Sequence, residues 1–119
     1  MKTKGDRYER LAARFLQQRG LEILVRNYGC RCGEIDLIAR HGQHLVFVEV
    51  RSRGNRRFAG AASSVDLRKQ RKLIRAALYY LQQNPELAIF PCRFDVIAFE
   101  PPQSGAERAP SWIPGAFTN

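Results

Sequence analysis

The segment over residues 45–50 reads LVFVEV and is apolar at every position except Glu49. Successive side chains of a strand point to opposite faces of a sheet, so an apolar run without polar alternation predicts a central strand covered on both sides. The fold must therefore place a packing layer on each face of a sheet. A chain of 119 residues is long enough for one such domain and short for two.

The other elements follow from apolar spacing and from turn residues. Gly20 suits the left-handed position that ends a helix, and Pro85 stops a second helix. Ser63 or Ser64 is predicted to cap that second helix, with Asp66 in its first turn. The predicted elements are a helix over about 6–19, strands over 21–29, 33–40 and 44–51, a helix over about 64–83, and a strand over 92–99. This order predicts a mixed α/β domain with helices packed against a central sheet.

The C-terminal part of the chain has a different composition. Residues 1–100 are predicted to form the α/β domain, and residues 101–119 a proline-rich tail packed on it. Four of the six prolines lie in this tail, which predicts an irregular backbone there. Trp112, Ile113 and Phe117 are predicted to pin the end of the tail to the domain.

The net charge of +9 is concentrated in one part of the chain. Residues 51–75 contain nine basic residues and one acidic residue, and the rest of the chain is nearly balanced. A focused basic field favours a polyanionic partner, of which nucleic acid is the commonest. A solvated basic face that aids solubility is the alternative.

Cysteine content and hydropathy narrow the class of protein further. Three cysteines are few and odd in number, which predicts reduced thiols without a disulfide framework, as is typical of the cytoplasm. No apolar run approaches the roughly 20 residues that span a bilayer, and the charged N-terminus is unlike a secretory signal. We therefore expect a cytoplasmic protein without a membrane partner.

The second and third predicted strands bring two carboxylates together. Gly42-Gln43 fits a two-residue hairpin turn of type II′, which takes glycine at its first central position. In that register Asp36 stands opposite Glu49, and Arg51 follows on the same face as Glu49. Directly opposed like charges destabilise a strand pair, so the pair needs a compensating cation. A bound Mg²⁺ ion is the simplest such cation, and with Arg51 it would make a centre suited to phosphodiester cleavage.

Two alternatives to this metal site remain open from the residues alone. Nearby arginines could neutralise both carboxylates without a metal, because ion networks are often only structural. A register slip of one residue would place the two carboxylates on opposite faces of the sheet.

Residues of the two predicted helices extend the candidate site. Glu9 flanks the apolar stripe of the first helix, and Gln70 lies one turn ahead of an apolar stripe of the second. An ordinary boundary glutamine is the alternative for Gln70. The second helix also carries a basic stripe, which we call the α2 stripe and which consists of Arg68, Arg71, Lys72 and Arg75. Such a stripe suits contacts with phosphates, and a solvated helix face is the alternative.

Four segments together resemble the bacterial YraN-like family, the uncharacterised protein family UPF0102. They are GEIDLIA at 33–39, VFVEVR at 46–51, RKQRK at 68–72 and CRFDV at 92–96. The resemblance extends from about Gly5 to Phe99, with weaker similarity over 112–117. That family is similar in turn to the PD-(D/E)xK nuclease superfamily, and most of all to archaeal Holliday-junction resolvases.

The resemblance implies a restriction-endonuclease-like αβββαβ core with a central mixed sheet. It implies that Asp36 and Glu49 bind Mg²⁺ or Mn²⁺, with the Val50 carbonyl as a third ligand. It also implies that position 51 orients the attacking water or stabilises the charged transition state.

The resemblance further implies that Glu9 matches an acidic residue of the first helix and that Gln70 matches a glutamine of the later helix. One position departs from the superfamily, which usually has lysine where Arg51 stands. Arginine does not deprotonate in proteins, so Arg51 cannot be a general base, but it can hold a phosphate or stabilise developing charge.

The expected function is that of a metal-dependent endonuclease that acts on branched or damaged DNA in repair or recombination. Junction substrates with two-fold symmetry favour a homodimer by analogy. The residues expected to hold the DNA backbone without reading sequence are Arg53, Arg56, Arg57, Arg68, Lys69, Arg71, Lys72 and Arg75. The alternatives are a nucleic-acid-binding domain with a degenerate site, and a domain whose basic face binds an acidic protein.

Overall fold

The computed structural model describes residues 4–52, 65–99 and 109–117, with side chains from Arg7 onward. The helices are α1 (Lys4–Gln17) and α2 (Leu67–Gln83), and a short 3₁₀ turn spans Pro85–Leu87. The strands are β1 (Glu22–Cys30), β2 (Gly33–His41), β3 (His44–Ser52), β4 (Cys92–Phe99) and β5 (Ser111–Phe117). The predicted αβββαβ order is confirmed. The loop arginines, Arg53, Arg56 and Arg57, lie outside the described residues.

The five strands form one sheet in the order β1-β2-β3-β4-β5. Neighbouring strands are antiparallel except β3 and β4, which run parallel from Leu45↔Cys92 to Ser52↔Phe99. A parallel pair needs a crossover connection, and α2 lies between β3 and β4 in the chain. The protein is therefore a mixed α/β fold with β3 at the centre of its sheet, as predicted.

Both faces of the sheet are covered, each by one helix. Leu45 and Phe47 of β3 belong to the buried cluster that contains the core residues of α2. Val46 and Val48 belong to the cluster that contains the core residues of α1. This alternation explains why β3 lacks a polar face, and it places the next residue, Glu49, on the side of α2.

Helix α1 ends at the predicted place. Gly20 has a φ of 91°, and its N–H donates to the Gln17 carbonyl at 3.1 Å. The Leu21 N–H donates to the Leu16 carbonyl, also at 3.1 Å. These two bonds form a Schellman motif, in which glycine is favoured because it has no Cβ to oppose a positive φ. The chain passes directly from this motif into β1.

Helix α2 begins later than predicted. Its N-cap is Asp66, whose Oδ1 accepts a hydrogen bond from the Lys69 N–H at 2.8 Å. The prediction that Ser63 or Ser64 caps the helix is therefore wrong, and both serines lie outside the described residues. Aspartate is favoured at this position for two reasons: it accepts the capping hydrogen bond, and its negative charge lies at the positive end of the helix dipole. Asn84 is the C-cap, so the predicted end of the helix is confirmed.

We expect Asp66→Ala to lower the free energy of unfolding by about 1 kcal/mol, because it removes both the capping bond and the favourable charge. Chemical denaturation followed by circular dichroism measures this change. Asp66→Asn keeps the capping oxygen and should lose less. Equal losses in the two variants would show that the charge, rather than the capping bond, carries the stabilisation.

The hairpin between β2 and β3 has the predicted turn and register. Gly42 has a φ of 61° and the residue after it has no positive φ, as a type II′ turn requires. The paired residues run from His41↔His44 to Leu37↔Val48. The alternative of a one-residue register slip is therefore excluded over this part of the hairpin.

The end of the tail is a strand, so the prediction of an irregular tail is wrong for residues 111–117. β5 pairs antiparallel with β4, and Ile97 lies opposite Trp112. β5 is an edge strand, and an edge tolerates Pro114 because the missing N–H is not needed for a second partner. Residues 100–108 lie outside the described residues.

Asp95 of β4 holds β5 from a fully buried position, with 0% of its surface exposed. Its carboxylate accepts hydrogen bonds from the Trp112 indole and the Gly115 N–H, both at 2.9 Å, and from Arg93 Nε at 3.1 Å. Arg93 Nη2 also contacts His41 Nδ1 at 2.8 Å. These donors offset the loss of hydration of a buried carboxylate. Sequence reasoning assigned Asp95 no role, although a charged residue among the apolar residues of a predicted strand was a signal.

Candidate metal and nucleic-acid site

Asp36 marks the point where β2 leaves β3. The paired residues end at Leu37↔Val48, so the predicted direct pair of Asp36 with Glu49 is not part of the ladder. The Val50 N–H donates instead to Asp36 Oδ2 at 2.7 Å. A carboxylate thus serves as the acceptor for a β3 amide, and it lies beside the point where the two strands separate.

The backbone of β2 also rotates at Asp36. Ile35 packs in the α2 cluster and Leu37 in the α1 cluster, although strict alternation would put both on one face. Asn27 of β1, at the position opposite Asp36, has a φ of 55°. Asparagine tolerates this left-handed conformation better than most residues. Sequence reasoning missed this irregularity, for which the local signal was Asn27, a residue that favours turns, within a predicted strand.

Glu49 is buried, with 4% of its surface exposed, and two cations share one of its oxygens. Arg51 Nη1 donates to Glu49 Oε2 at 3.1 Å. Lys69 Nζ of α2 lies 3.7 Å from the same Oε2. The side chains of Arg51 and Lys69 are about one-third exposed, at 32% and 39%. The site is therefore a buried carboxylate under a partly open layer of cations.

Burial raises the pKa of both carboxyl groups. Burial is the largest cause for Glu49, followed by the charge of Asp36, and together they raise the pKa of Glu49 from 4.5 to about 7. Burial also raises the pKa of Asp36, against the opposing effects of the Val50 N–H, a hydrogen bond with Glu49, and the charge of Lys69. The side-chain cations therefore compensate the two carboxylates only in part, and a proton or a bound cation would offset the remaining charge.

The donor atoms at this place fit a hard divalent cation. Mg²⁺ binds one or two carboxylates and keeps water or phosphate oxygens in its other positions. Asp36 and Glu49 supply the carboxylates, and the backbone of Val50 lies at the site because its N–H binds Asp36. Across the described ranges, no group of three or more His, Cys, Asp or Glu residues forms a fuller metal cluster. The donor set thus suits a metal that keeps open positions.

Comparison with known proteins identifies the family. The model of the uncharacterised protein family UPF0102 matches residues 8–99, which include the whole of this site. A UPF0102 protein of Aeromonas hydrophila is 52% identical over 97% of this chain and 85% of its own length. A UPF0102 protein of Stutzerimonas stutzeri is 46% identical, over 97% and 94%. The chain belongs to family UPF0102. Identity of this extent over nearly the whole chain confirms the resemblance inferred from the four sequence segments.

Gln70 lies next to Lys69 but has a different partner. Its Nε2 donates to the Val65 carbonyl at 2.8 Å, and its backbone N–H donates to the Asp66 carbonyl at 2.9 Å. The amide thus holds the start of α2 to the chain that precedes it. Lys69, which we expected to hold the DNA backbone, is the α2 residue that reaches Glu49.

Glu9 lies half-buried on α1, and its Oε1 is buried. α1 packs on the face of the sheet opposite α2, whereas Glu49 contacts Lys69 on the α2 side. Glu9 therefore belongs to the helix that packs on the other face of the sheet from Lys69.

The α2 stripe is exposed at all four of its residues. Its ends, Arg68 and Arg75, are seven positions apart in the chain, which corresponds to about 10 Å along the helix. The stripe begins in the first turn of α2, one residue before Lys69. An exposed row of cations thus leads from the two carboxylates along the helix.

Neither of the described helices has the length and hydropathy that crossing a bilayer requires.

Proposed function

We propose that this protein is a metal-dependent endonuclease that hydrolyses phosphodiester bonds of DNA, with branched or damaged DNA as its substrate class. The observation that carries the proposal is the pair formed by half-buried Asp36 and buried Glu49, which lies where β2 and β3 separate and at the start of the exposed α2 stripe. The αβββαβ order of the fold and the resemblance to the PD-(D/E)xK superfamily support it.

Two carboxylates without a full set of counter-charges are expensive to bury, so a site of this kind is typical of function rather than of stability. A divalent cation would offset that cost, and a phosphate oxygen is among the ligands that Mg²⁺ and Mn²⁺ prefer in their open positions. The exposed cations of the α2 stripe supply the attraction that a polyanionic backbone requires. Each part of the arrangement thus matches one requirement of phosphodiester hydrolysis.

The residues divide the work of the reaction as follows. Asp36, Glu49 and the Val50 carbonyl would hold Mg²⁺ or Mn²⁺, which supplies Lewis acidity at the scissile phosphate. Arg51 keeps the Glu49 carboxylate oriented through its 3.1 Å hydrogen bond. Water adds to phosphorus, one P–O ester bond breaks, and the products are a phosphate monoester end and a hydroxyl end. The α2 stripe holds the DNA backbone without reading its sequence.

Cleavage of a labelled substrate panel tests the proposal. Single-stranded, duplex, flap and four-way-junction DNA are incubated with the purified protein and Mg²⁺, Mn²⁺ or EDTA. We expect cleavage that needs the metal and is strongest on a branched substrate. The absence of cleavage on every substrate, with protein shown to be folded and to bind DNA, would overturn the proposal.

A nucleic-acid-binding domain with a degenerate site is the second candidate, and the observation that favours it is Arg51. The guanidinium is hydrogen-bonded to Glu49 and cannot accept a proton.

Arg51→Lys separates the two candidates. If the protein is a nuclease, this variant should cleave at least as fast as the wild type, because lysine keeps a cation beside Glu49 and restores the residue usual in the superfamily. The same gel assay measures it. DNA binding without cleavage in both forms would favour the binding domain.

A further inference from the structure

Lys69 links the two carboxylates to the α2 stripe. Its backbone N–H is held by the Asp66 cap at 2.8 Å, which fixes the residue in the first turn of α2. Its ammonium lies 3.7 Å from Glu49 Oε2, and its charge also acts on Asp36. Its side chain is 39% exposed, so the same ammonium is accessible from solvent. No other residue of α2 has an ion pair with Glu49 among the described contacts.

Arg51 and Lys69 approach the same carboxylate oxygen in different ways. Arg51 Nη1, at 3.1 Å, makes a hydrogen bond, and the flat guanidinium suits a lasting contact with a carboxylate. Lys69 Nζ, at 3.7 Å, is beyond hydrogen-bond range of Oε2. Its three N–H donors are therefore not committed to Glu49, and an ammonium can turn them toward a new acceptor.

The charge of the site favours the same division of roles. With a divalent cation bound, the two carboxylates and the two side-chain cations leave a local charge of roughly +2. A phosphodiester that is attacked by a hydroxide equivalent carries about two negative charges in its transition state. A cation that enters from α2 can meet one of them, while Arg51 remains on Glu49.

We propose that Lys69 is the residue that binds the scissile phosphate. α2 places its ammonium beside Glu49, where the ammonium donates to a non-bridging oxygen of a phosphate bound at the site of Asp36 and Glu49. This role rests on the proposed function. This role assigns Lys69 to the reacting site and leaves the α2 stripe to hold the DNA backbone. The site would then contain a lysine although position 51 is arginine.

The test compares Lys69→Ala with Lys72→Ala, which removes the same charge from the exposed α2 stripe three residues away. Single-turnover cleavage at saturating protein measures the rate constant, and fluorescence anisotropy of a labelled junction measures Kd. We expect Lys69→Ala to lower the rate constant by about 100-fold with only a small rise in Kd. Lys72→Ala should raise Kd several-fold with a much smaller loss of rate. Lys69→Arg should recover part of the rate.

A second measurement does not need cleavage. Ca²⁺, a hard divalent cation, should tighten DNA binding, because Asp36 and Glu49 would hold it and phosphate oxygens are among the ligands it prefers. If Lys69 binds that phosphate, the Ca²⁺-dependent gain in affinity should be lost in Lys69→Ala and kept in Lys72→Ala. Arg14 is an exposed residue of α1, and Arg14→Ala serves as the control for the loss of one positive charge alone.

Each outcome separates this inference from the proposed function. If Lys69→Ala loses affinity as Lys72→Ala does and keeps its rate, Lys69 holds the DNA backbone in the same way as the stripe residues and the inference is wrong. If the wild type does not cleave but the Ca²⁺-dependent gain is lost only in Lys69→Ala, the nuclease proposal fails and phosphate binding by Lys69 stands. If the wild type shows neither cleavage nor a Ca²⁺-dependent gain, both are overturned.

Discussion

Replacing Glu49 by glutamine should abolish metal-dependent DNA cleavage. Glutamine keeps the size of the side chain but removes the charge that the divalent cation needs, and the metal contributes several kcal/mol to such reactions. We therefore expect a loss of at least about 1,000-fold in the cleavage rate. Cleavage of the labelled junction with Mn²⁺ measures it, and calorimetric titration with Mn²⁺ should show weaker binding of the metal.

The same substitution should stabilise the metal-free protein above neutral pH. The pKa of Glu49 is raised from 4.5 to about 7, so between these pH values the folded state holds a proton that the unfolded state has released. The stability of the wild type therefore falls as pH rises through this window, and the cost is fully present above about pH 7. Glu49→Gln removes the cost, and we expect roughly 1–3 kcal/mol of added stability at pH 8 and little change at pH 4.

The two effects have opposite signs, which distinguishes a functional residue from a structural one. Glu86→Gln removes an exposed carboxylate of the 3₁₀ turn and should change neither cleavage nor the dependence of stability on pH. Thermal unfolding at pH 4 and pH 8 in EDTA measures the stability of both variants. Unchanged cleavage by Glu49→Gln would mean that the observed nuclease is a contaminant or that the metal lies elsewhere.

Replacing Asp95 by alanine should have the largest effect on stability. Asp95 is fully buried and accepts from Trp112, Gly115 and Arg93. Its removal leaves Arg93 without its carboxylate partner and leaves the Trp112 indole N–H and the Gly115 N–H without this acceptor. The loss of one partner of a buried ion pair typically costs about 3–5 kcal/mol. We expect Asp95→Ala to lower the free energy of unfolding by this amount, as measured by urea denaturation.

A graded series tests the cause of that loss. Asp95→Asn keeps an acceptor oxygen and the side-chain volume, so it should cost less than Asp95→Ala. Trp112→Phe removes one hydrogen bond and keeps an aromatic side chain, for a loss of about 1 kcal/mol. A loss below about 1 kcal/mol in Asp95→Ala would show that β5 does not depend on this carboxylate. Hydrogen exchange that becomes faster only for the β5 amides in Asp95→Ala would show that β5 detaches before the rest of the protein unfolds.

Much of the fold could be predicted because it depends on local patterns of apolar residues and on turn glycines. The apolar run of β3 has no polar face, and the structure covers it with α1 on one side and α2 on the other. Gly42 predicted the turn, and the turn set the register as far as Leu37↔Val48. Gly20 predicted the end of α1 through a backbone conformation that glycine adopts without strain. Each of these features depends on residues close together in the chain.

The errors at the ends of elements have physical reasons too. Three residues that can cap a helix lie within 63–66, and propensity alone does not rank serine against aspartate at the N-cap. The tail was predicted to be irregular from its prolines, yet residues 111–117 form a strand because β4 offers a free edge and Asp95 offers an acceptor. Tertiary partners outweighed local propensity at both places.

The candidate site shows most clearly which features depend on local sequence and which depend on tertiary packing. From the sequence alone, Asp36 and Glu49 could be assigned to one face of a hairpin, because side chains alternate along strands and the turn sets the register. The separation of β2 from β3, the bond from the Val50 N–H to Asp36 and the approach of Lys69 to Glu49 arise only in the packed protein. Lys69 and Glu49 are twenty residues apart in the chain and lie on different elements. The sequence by itself determined which carboxylates lie in the sheet, since that depends on local periodicity. The tertiary structure decided which cations meet them, because that contact depends on how a helix packs across the sheet.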